Sequence, residues 1–223
     1  MKKYFCLVVT LIMLIAVASC KAEVDLSYYV SELRENVYVC ETEGLKVTVY
    51  SEKRESPYIA DGYVGTLKDV LIVKIDSESV KIDDAEISLN YDKTSVKGSF
   101  TYSPINGKYV CQIEVPSLPK ADKISGEIKC GENSFNLELS SGVLTDTISA
   151  KQALESVKKH DSKTLEKLFE NGKVQTEIHI RIMADGERNY YYVGFVCSDG
   201  TYAYLVDGKT GEVLARKNTP QRN

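Results

Sequence analysis

Short runs of β-branched and aromatic residues, separated by turn residues, fill the chain between residues 37 and 140. In the run 108–115, apolar residues recur at every second position from Tyr109 to Val115, which is the period of a strand with one buried face. Turn signals such as Glu43-Gly44 separate the runs. The predicted strands are Val37–Cys40, Leu45–Tyr50, Tyr58–Val64, Val70–Ile75, Ala85–Tyr91, Val96–Tyr102, Lys108–Val115, Ile124–Cys130 and Ser134–Leu139.

This pattern of many short strands without helices predicts an N-terminal antiparallel β-sandwich over residues 37–140. The prediction is immunoglobulin-like in architecture only, because the chain has no Trp and therefore lacks the Cys…Trp…Cys hallmark. The segment Arg54–Tyr58 with Asp61-Gly62 resembles a strand least. We interpret it as a charged turn and a crossing between the two sheets, with a binding loop as the alternative.

The hydrophobic period changes after the linker signal Ser140-Ser141-Gly142. Ser149 and Gln152 have the spacing of a capping box, and apolar residues then recur at helical spacing to about residue 159. A second helix is predicted over residues 162–171. The strands that follow are predicted at Gln175–Met183, Asn189–Cys197, Thr201–Val206 and Glu212–Arg216. We therefore predict an α+β domain of helices plus an antiparallel meander over residues 146–218, in a chain that is mainly β.

Three features of this second domain resemble the PepSY family, and one of them is that its predicted strands are rich in Tyr. The first helix opens with Ile148-Ser149-Ala150-Lys151-Gln152-Ala153, and the chain ends in the hairpin Tyr202–Leu214, whose turn is Asp207-Gly208-Lys209-Thr210-Gly211. The resemblance covers roughly Asp146–Asn218, and the second helix is an addition to the shorter family pattern. It implies an extracytoplasmic protein that modulates peptidases, and it brings no catalytic residues.

The first nineteen residues have the layout of a secretory signal, with a basic start, an apolar run and small residues before Cys20. Small residues directly before a cysteine resemble a bacterial lipobox, which implies acylation of Cys20 by chains such as palmitate. We expect a signal peptide at 1–19, a lipid anchor and tether at 20–36 and a location on the extracytoplasmic face of the cell membrane. The alternative is an ordinary signal cleaved near Ala18.

This anchor has a geometric consequence. Because the predicted sandwich follows the tether directly, we expect it to lie near the membrane, with the PepSY-like domain at the distal end. Within the tether, residues 26–36 have apolar positions at helical spacing and are predicted to form a helix.

Composition and charge exclude several classes of function. The net charge is −4 and no basic block occurs, so we expect no nucleic-acid partner. The cysteines left after Cys6 and Cys20 are Cys40, Cys111, Cys130 and Cys197; they could form two disulfides in three connectivities, or remain buried thiols. No two of them are close enough in sequence to form a zinc motif, so we expect neither a metal nor another cofactor.

No catalytic constellation stands out, and we predict that the protein is not an enzyme. The sequence Gly208-Lys209-Thr210 resembles the end of a phosphate loop, but Ala203 occupies the earlier glycine position and no helix follows. The only histidines are His160 and His179, and neither is paired in sequence with another metal ligand or with a nucleophile.

The predicted hairpins of the second domain create one unusual sheet face. With two-residue turns at Asp185-Gly186 and Asp199-Gly200, His179 would lie opposite Tyr192. One face should pack beneath the helices: Ile178, Ile180, Tyr191, Val193, Phe195, Cys197, Tyr202, Tyr204 and Leu214. The other would carry His179, Arg181, Tyr190, Tyr192, Val196, Leu205 and Val213.

Aromatic residues and arginine favour binding hot spots, so we predict that His179, Arg181, Tyr190 and Tyr192 form a protein-binding face. The expected partner is a peptide or an exported peptidase. Three alternatives remain open: a small-ligand or glycan module, a structural envelope protein, and a face that is simply packed on the sandwich or wetted by solvent.

Overall fold

The structure is a computed structural model that describes residues 25–59, 63–77, 84–104, 107–168 and 176–220. The predicted signal peptide and Cys20 lie outside these residues. Among the described residues, no helix is long and apolar enough to cross a bilayer.

The protein is mainly β, with two helices between two groups of strands. A 3₁₀ turn at Leu26–Tyr29 precedes the first strand. Helices α1 and α2 are Ala150–His160 and Ser162–Leu168. The strands before them are β1 Val30–Thr42, β2 Leu45–Glu55, β3 Leu67–Ser77, β4 Glu86–Tyr91, β5 Thr94–Ser99, β6 Thr101–Ser103, β7 Lys108–Glu114, β8 Lys123–Cys130 and β9 Asn133–Ser141. The strands after them are β10 Thr176–Ala184, β11 Asn189–Cys197, β12 Gly200–Asp207 and β13 Val213–Pro220.

Strand β1 belongs to both groups. Along one path the sheet runs β13-β12-β11-β10-β1-β2-β3-β7-β6, and the first half of β1 pairs with β10 in parallel. The second half of β1 pairs with β9, which continues to β8, β4 and β5. The N-terminal strands and the C-terminal meander are therefore one continuous sheet with β1 at the branch.

The immunoglobulin-like sandwich is not confirmed, because the N-terminal strands form a barrel-like sheet. The two arms that leave β1 approach each other again where β5 meets β7. There, a Cβ on Gly98 would lie 2.4 Å from Sγ of Cys111, so only glycine allows this approach. Among the described strands β5 pairs only with β4 and β6 only with β7, so the sheet curves towards a barrel without hydrogen bonds that join its two arms.

Two hydrophobic cores lie on either side of the branch. The barrel core contains Tyr38, Val47, Val73, Leu89 and Ile128, among others. The second core lies under α1 and contains Ala153, Leu154, Val157, Ile180, Phe195 and Tyr204. Leu26 from the 3₁₀ turn and Val37 from β1 are buried in this second core, so the N-terminal segment helps to complete it.

The prediction of a helix over residues 26–36 is wrong, because Val30–Asn36 is strand and only Leu26–Tyr29 is helical. A bulge between Arg34 and Asn36 breaks the alternation of the strand, and burial then resumes with Val37 and Tyr38 side by side. The interrupted period imitates helical spacing. Residues 30–36, which we assigned to a tether, are integrated into the sheet.

This placement also argues against a distal PepSY-like domain. Because β1 and β10 are parallel, the point where the chain enters at Asp25 lies at the same end of the sheet as the start of β10. Leu26 is buried in the core beneath α1. An anchor on Cys20 would therefore hold the C-terminal domain as close to the membrane as the barrel.

The other predicted elements differ in detail. The strand predicted at Tyr58–Val64 is wrong, because residues 58, 59, 63 and 64 are not strand. Strand β2 ends before them at Glu55, and Pro57 lacks the N–H that a continued strand would need for its hydrogen bonds. The connection after β2 leads to the adjacent antiparallel β3, so the interpretation as a crossing between sheets is wrong. The predicted strand 96–102 is divided between β5 and β6. The capping box of Ser149 and Gln152 is confirmed, and α2 is described to Leu168.

Candidate functional site

The hairpin registers differ from the predicted ones by two residues. His179 lies opposite Gly194, and Tyr192 lies opposite Arg181, because the first turn spans four residues rather than two. In the second hairpin Cys197 pairs with Gly200. A shift of two leaves the side chains of β10, β11 and β12 on their predicted faces, whereas a shift of one would have exchanged the faces.

The face predicted to lie beneath the helices is confirmed with one exception. Six of its members are buried in the second core: Ile178, Ile180, Tyr191, Val193, Phe195 and Tyr204. Tyr202 and Cys197 are half-buried. Leu214 is 47% exposed, and Val213 packs on the core in its place. The bulge between Leu205 and Val206 causes this exchange, because it shifts the register with β13.

On the opposite face, the four predicted residues lie together, but they are not equally available. Tyr190 and Tyr192 are half-exposed, whereas His179 is buried. Arg181 donates from Nε and Nη2 to the two carboxylate oxygens of Glu32, at 2.5 and 2.6 Å. The guanidinium that we expected to meet a partner is thus occupied by β1.

Arg181 and His179 belong to a larger group at the β2–β1–β10 junction, which we call the charge cluster: Glu32, Arg34, Glu52, Arg54, Glu177, His179 and Arg181. Arg34 donates from Nε to Glu52 at 3.0 Å, and its Nη2 lies 2.9 Å from the same oxygen. The register places Glu32 opposite Arg54, and Arg34 opposite Glu52. Opposite charges on adjacent strands stabilise this pairing.

Burial and neighbouring charges shift the pKa values of Glu32, Glu52 and His179, and the hydrogen bonds and charge of Glu32 raise the pKa of Arg181. Burial raises the pKa of the Glu32 carboxyl, but the hydrogen bonds and charge of Arg181 outweigh it, and the net shift is downward. Burial raises the pKa of Glu52, and the Arg34 charge only partly offsets this. The pKa of His179 is lowered, first by burial, although Glu32 and Glu177 act in the opposite direction.

The least satisfied part of the cluster lies between Glu177 and His179. The Glu177 side chain is 1% exposed, and neither of its oxygens has a hydrogen-bond partner among the described residues. Nε2 of His179, also without a hydrogen bond there, lies 3.7 Å from Oε2 of Glu177. The Tyr58 ring contacts the imidazole edge-on, with 5.9 Å between ring centroids. Burial, together with the Glu177 charge, raises the pKa of Tyr58.

Aromatic rings extend the cluster along the same face. The Arg34 guanidinium lies 4.0 Å from the centre of the Tyr50 ring, and Arg181 lies 5.4 Å from that of Tyr192. Tyr192 folds over Gly194, where a Cβ would meet its hydroxyl at 2.6 Å. Glycine at this position is therefore what lets the ring lie flat against the sheet.

A groove of about 710 Å³ continues from the cluster towards the β10–β11 turn. Its lining includes Arg34, Val39, Thr48, Tyr50 and Met183, so β1, β2 and β10 all contribute. Val39 and Met183 are both exposed. The combination of apolar walls with a charged edge is suited to an amphipathic ligand or a peptide.

His179, Arg181, Tyr190 and Tyr192 were predicted from the sequence as site residues, whereas Glu32, Arg34, Glu52 and Glu177 were not. A signal was present, because charged or ionisable residues occur at every second position in all three strands: Glu32 and Arg34, Glu52 and Arg54, and Glu177, His179 and Arg181. Three such segments predict facing ladders of opposite charge if their strands are known to be neighbours.

The described part of the chain contains the four remaining cysteines and the glycine-rich turn, which we considered as candidates for chemistry. None of the four forms a disulfide; Cys111 is buried, whereas Cys40, Cys130 and Cys197 are half-buried. Within the same ranges, no three His, Cys, Asp or Glu side chains gather so that they could hold a metal ion. In the turn after β12, Oδ1 of Asp207 accepts hydrogen bonds from the backbone N–H of Lys209 and Thr210, which is a tight turn and not a phosphate loop.

Asn189 joins this turn to the linker before α1. Its Oδ1 accepts hydrogen bonds from Leu144 N and from the Thr147 hydroxyl, both at 2.6 Å. Its backbone oxygen accepts from Gly208 N at 2.8 Å. Linker, meander and terminal hairpin are thereby fixed as one unit.

Two helices on one face of a four-stranded antiparallel meander define the class of this unit as an α+β module. Residues 147–217 match the PepSY family, described as the peptidase propeptide and YPEB domain, and this segment is a PepSY domain. The match covers less than half of the chain and suggests an extracytoplasmic module of the kind found in peptidase propeptides. No curated protein matches the chain.

Proposed function

We propose that the chain is a non-catalytic lipoprotein, held at the extracytoplasmic face of the cell membrane by a lipid on Cys20, which binds protein or peptide through its PepSY domain. The observation that carries the proposal is the family match over residues 147–217, because this domain type occurs in peptidase propeptides. The favoured partner is accordingly an exported peptidase or a peptide segment of one.

The anchor is testable apart from the binding. Replacing Cys20 by serine removes the acyl acceptor, so we expect the variant to leave the membrane fraction when the full chain is produced in a bacterium. A single acyl chain gives only marginal attachment, whereas two or more hold a protein stably. Ultracentrifugation of lysed cells, with incorporation of labelled palmitate, measures both effects. A variant that stays fully membrane-bound would contradict the anchor.

The binding surface that we favour is the outer face of β10 and β11 with the adjoining groove. Tyr190 and Tyr192 are half-exposed there, and Met183 lies opposite Tyr190. His179 and Arg181 support this surface from beneath, since one is buried and the other is paired with Glu32. Rigid tyrosines beside an apolar groove supply contact area at low entropic cost.

The binding is tested by changing Tyr190 and Tyr192 together to alanine. We expect affinity for an exported peptidase of the same bacterium to fall at least about tenfold, as is typical when aromatic hot spots are removed. Inhibition of peptidase activity and surface plasmon resonance measure this. Tyr102→Ala is the matched control, since Tyr102 is an exposed tyrosine on β6, away from the PepSY domain.

Two outcomes bear on the alternatives. Unchanged affinity of the double variant, with an unchanged melting temperature, would contradict the assigned surface.

The groove, with the Tyr50 ring on its wall, favours a small ligand or a glycan as the second candidate function. A thermal-shift screen with sugars separates the two, because a peptidase-binding surface should give no shift with them.

A further inference from the structure

One end of the sheet carries an unusual share of the exposed apolar side chains. At this end, which we call the entrance end, β1 begins, β2 ends and β3 begins, as the pairing of Glu32 with Arg54 and of Glu55 with Leu67 establishes. The described residues include ten exposed large hydrophobic side chains. Five of them lie at or next to the entrance end: Tyr28, Tyr58, Ile59, Tyr63 and Leu67. We call these five the apolar rim.

The rim is held in place from behind. Ser56 donates a backbone hydrogen bond to Thr66 at 3.2 Å, and the backbone N–H of Gly65 donates to Oε1 of Glu55 at 2.7 Å. Tyr58 rests edge-on against His179 of the charge cluster. Both flanks of the β2–β3 connection are therefore fixed to the sheet, while Ile59 remains 55% exposed.

The chain enters the fold at this same end. The 3₁₀ turn that carries Tyr28 directly precedes β1, and Leu26 of this turn is buried in the core beneath α1. Between Cys20 and Asp25 there are five peptide units, which span about 17 Å when fully extended. If Cys20 is acylated, the entrance end cannot be farther than this from the headgroup region.

We infer that the apolar rim contacts the bilayer interface, so that lipid and rim together fix the orientation of the protein on the membrane. This inference rests on the proposed acylation of Cys20. Tyrosine is enriched at membrane–water interfaces, because its ring is apolar and its hydroxyl remains hydrated. Ile59 and Leu67 add apolar area that water would otherwise cover.

A membrane explains the rim better than a protein partner does, since the short tether brings the rim to the headgroups whatever else is bound. With the entrance end against the bilayer, the opposite end of the sheet points away from it. The groove is lined by Val39, Met183 and the β10–β11 turn, which lie towards that opposite end. The proposed peptidase-binding surface would then remain accessible from the extracytoplasmic space.

The absence of Trp from the chain allows a direct test. Ile59→Trp places a single fluorophore in the rim, and Tyr102→Trp places one at the opposite end, where Tyr102 is 53% exposed. Each chain, starting at residue 20, carries a hexahistidine segment in place of the signal and is attached through it to phosphatidylcholine vesicles that contain nickel-chelating lipid. Brominated phosphatidylcholine serves as the quencher.

On vesicles, we expect the emission of Ile59→Trp to shift to shorter wavelength and to be quenched at least about twofold more than that of Tyr102→Trp. Equal quenching of the two, with emission unchanged from the unattached protein, would overturn the inference. A blue shift that grows with protein concentration in the absence of vesicles would also overturn it, in favour of contact with a second copy of the chain.

The attachment through hexahistidine keeps this result independent of the proposed function. Acylation is tested by Cys20→Ser in the full chain, whereas the vesicle experiment supplies its own anchor. Quenching at Ile59 together with a membrane-bound Cys20→Ser would support the rim and refute the acylation. Equal quenching of the two Trp variants, together with loss of Cys20→Ser from the membrane fraction, would refute the membrane contact of the rim and leave the acylation standing.

Discussion

Replacing Glu32 by alanine is expected to lower the free energy of unfolding by about 3 kcal/mol. Glu32 is buried, accepts two hydrogen bonds from Arg181 and lies 3.9 Å from Arg34. Its removal leaves positive charge at the β1–β10 junction with fewer acceptors, and breaking a buried pair costs more than forming it contributes. Because the Arg181 side chain is 35% exposed, it can recover some hydration, which limits the loss.

Urea denaturation followed by circular dichroism measures this effect, with Glu41→Ala as the control. Glu41 also forms an ion pair, with Lys46 at 3.3 Å, but both side chains are more than half exposed. Its loss should cost about 0.5 kcal/mol or less. Equal destabilisation by the two substitutions would contradict the structural role of the charge cluster.

The effect of Glu32→Ala should depend on pH in a defined direction. The pKa of Glu32 is lowered in the folded protein, so its carboxylate stabilises the fold above the ordinary value of 4.5. This contribution is lost as the pH falls through the lowered pKa. The pKa of Glu52 is raised in the folded protein, so ionisation of Glu52 lowers the stability of the fold as the pH rises. The difference in stability between wild type and Glu32→Ala should shrink below about pH 4.5.

The PepSY segment by itself, residues 142–220, is expected not to fold. Its core includes Leu26 and Val37, which come from the N-terminal part of the chain. Its strand β10 has β1 as a parallel neighbour, and without β1 the backbone N–H and C=O groups on that side of β10 become a free edge. Arg181 would also lose Glu32, which accepts two of its hydrogen bonds. A fragment of this size retains little core to offset these losses.

The local part of the fold could be predicted from the sequence. The capping box at Ser149, the buried face of β10 and β11 and the PepSY hairpin each depend on residues close in sequence. These elements have strong periodic signals or specific turn residues. The predicted registers of the two hairpins were wrong by two residues, but an even shift leaves each side chain on its predicted face.

The role of β1 could not be predicted, because it depends on contacts between distant segments. The bulge before Asn36 hid the strand period of residues 30–36. Parallel pairing with β10 joins residues almost 150 positions apart, such as Leu33 and Ile180, and no turn signal marks it. The charge cluster was missed for the same reason. Its charged residues predict ion pairs between strands only when β2, β1 and β10 are known to be neighbours.

Strand β1 joins the barrel to the PepSY domain and completes the core of that domain. The backbone offers a way to test it, because Gly142 N donates to Val37 O at 2.7 Å, so the two ends of the barrel segment are adjacent. Residues 25–37 can therefore be joined by a short linker to residues 142–220, which removes the barrel and keeps the first half of β1.

The most direct measurement compares this fusion with the bare segment 142–220 by two-dimensional amide NMR and thermal unfolding. The fusion should give dispersed amide resonances and a cooperative transition, and the bare segment should give neither. If the bare segment folds with the same melting temperature as the fusion, β1 is not part of the PepSY domain, and the claim is contradicted.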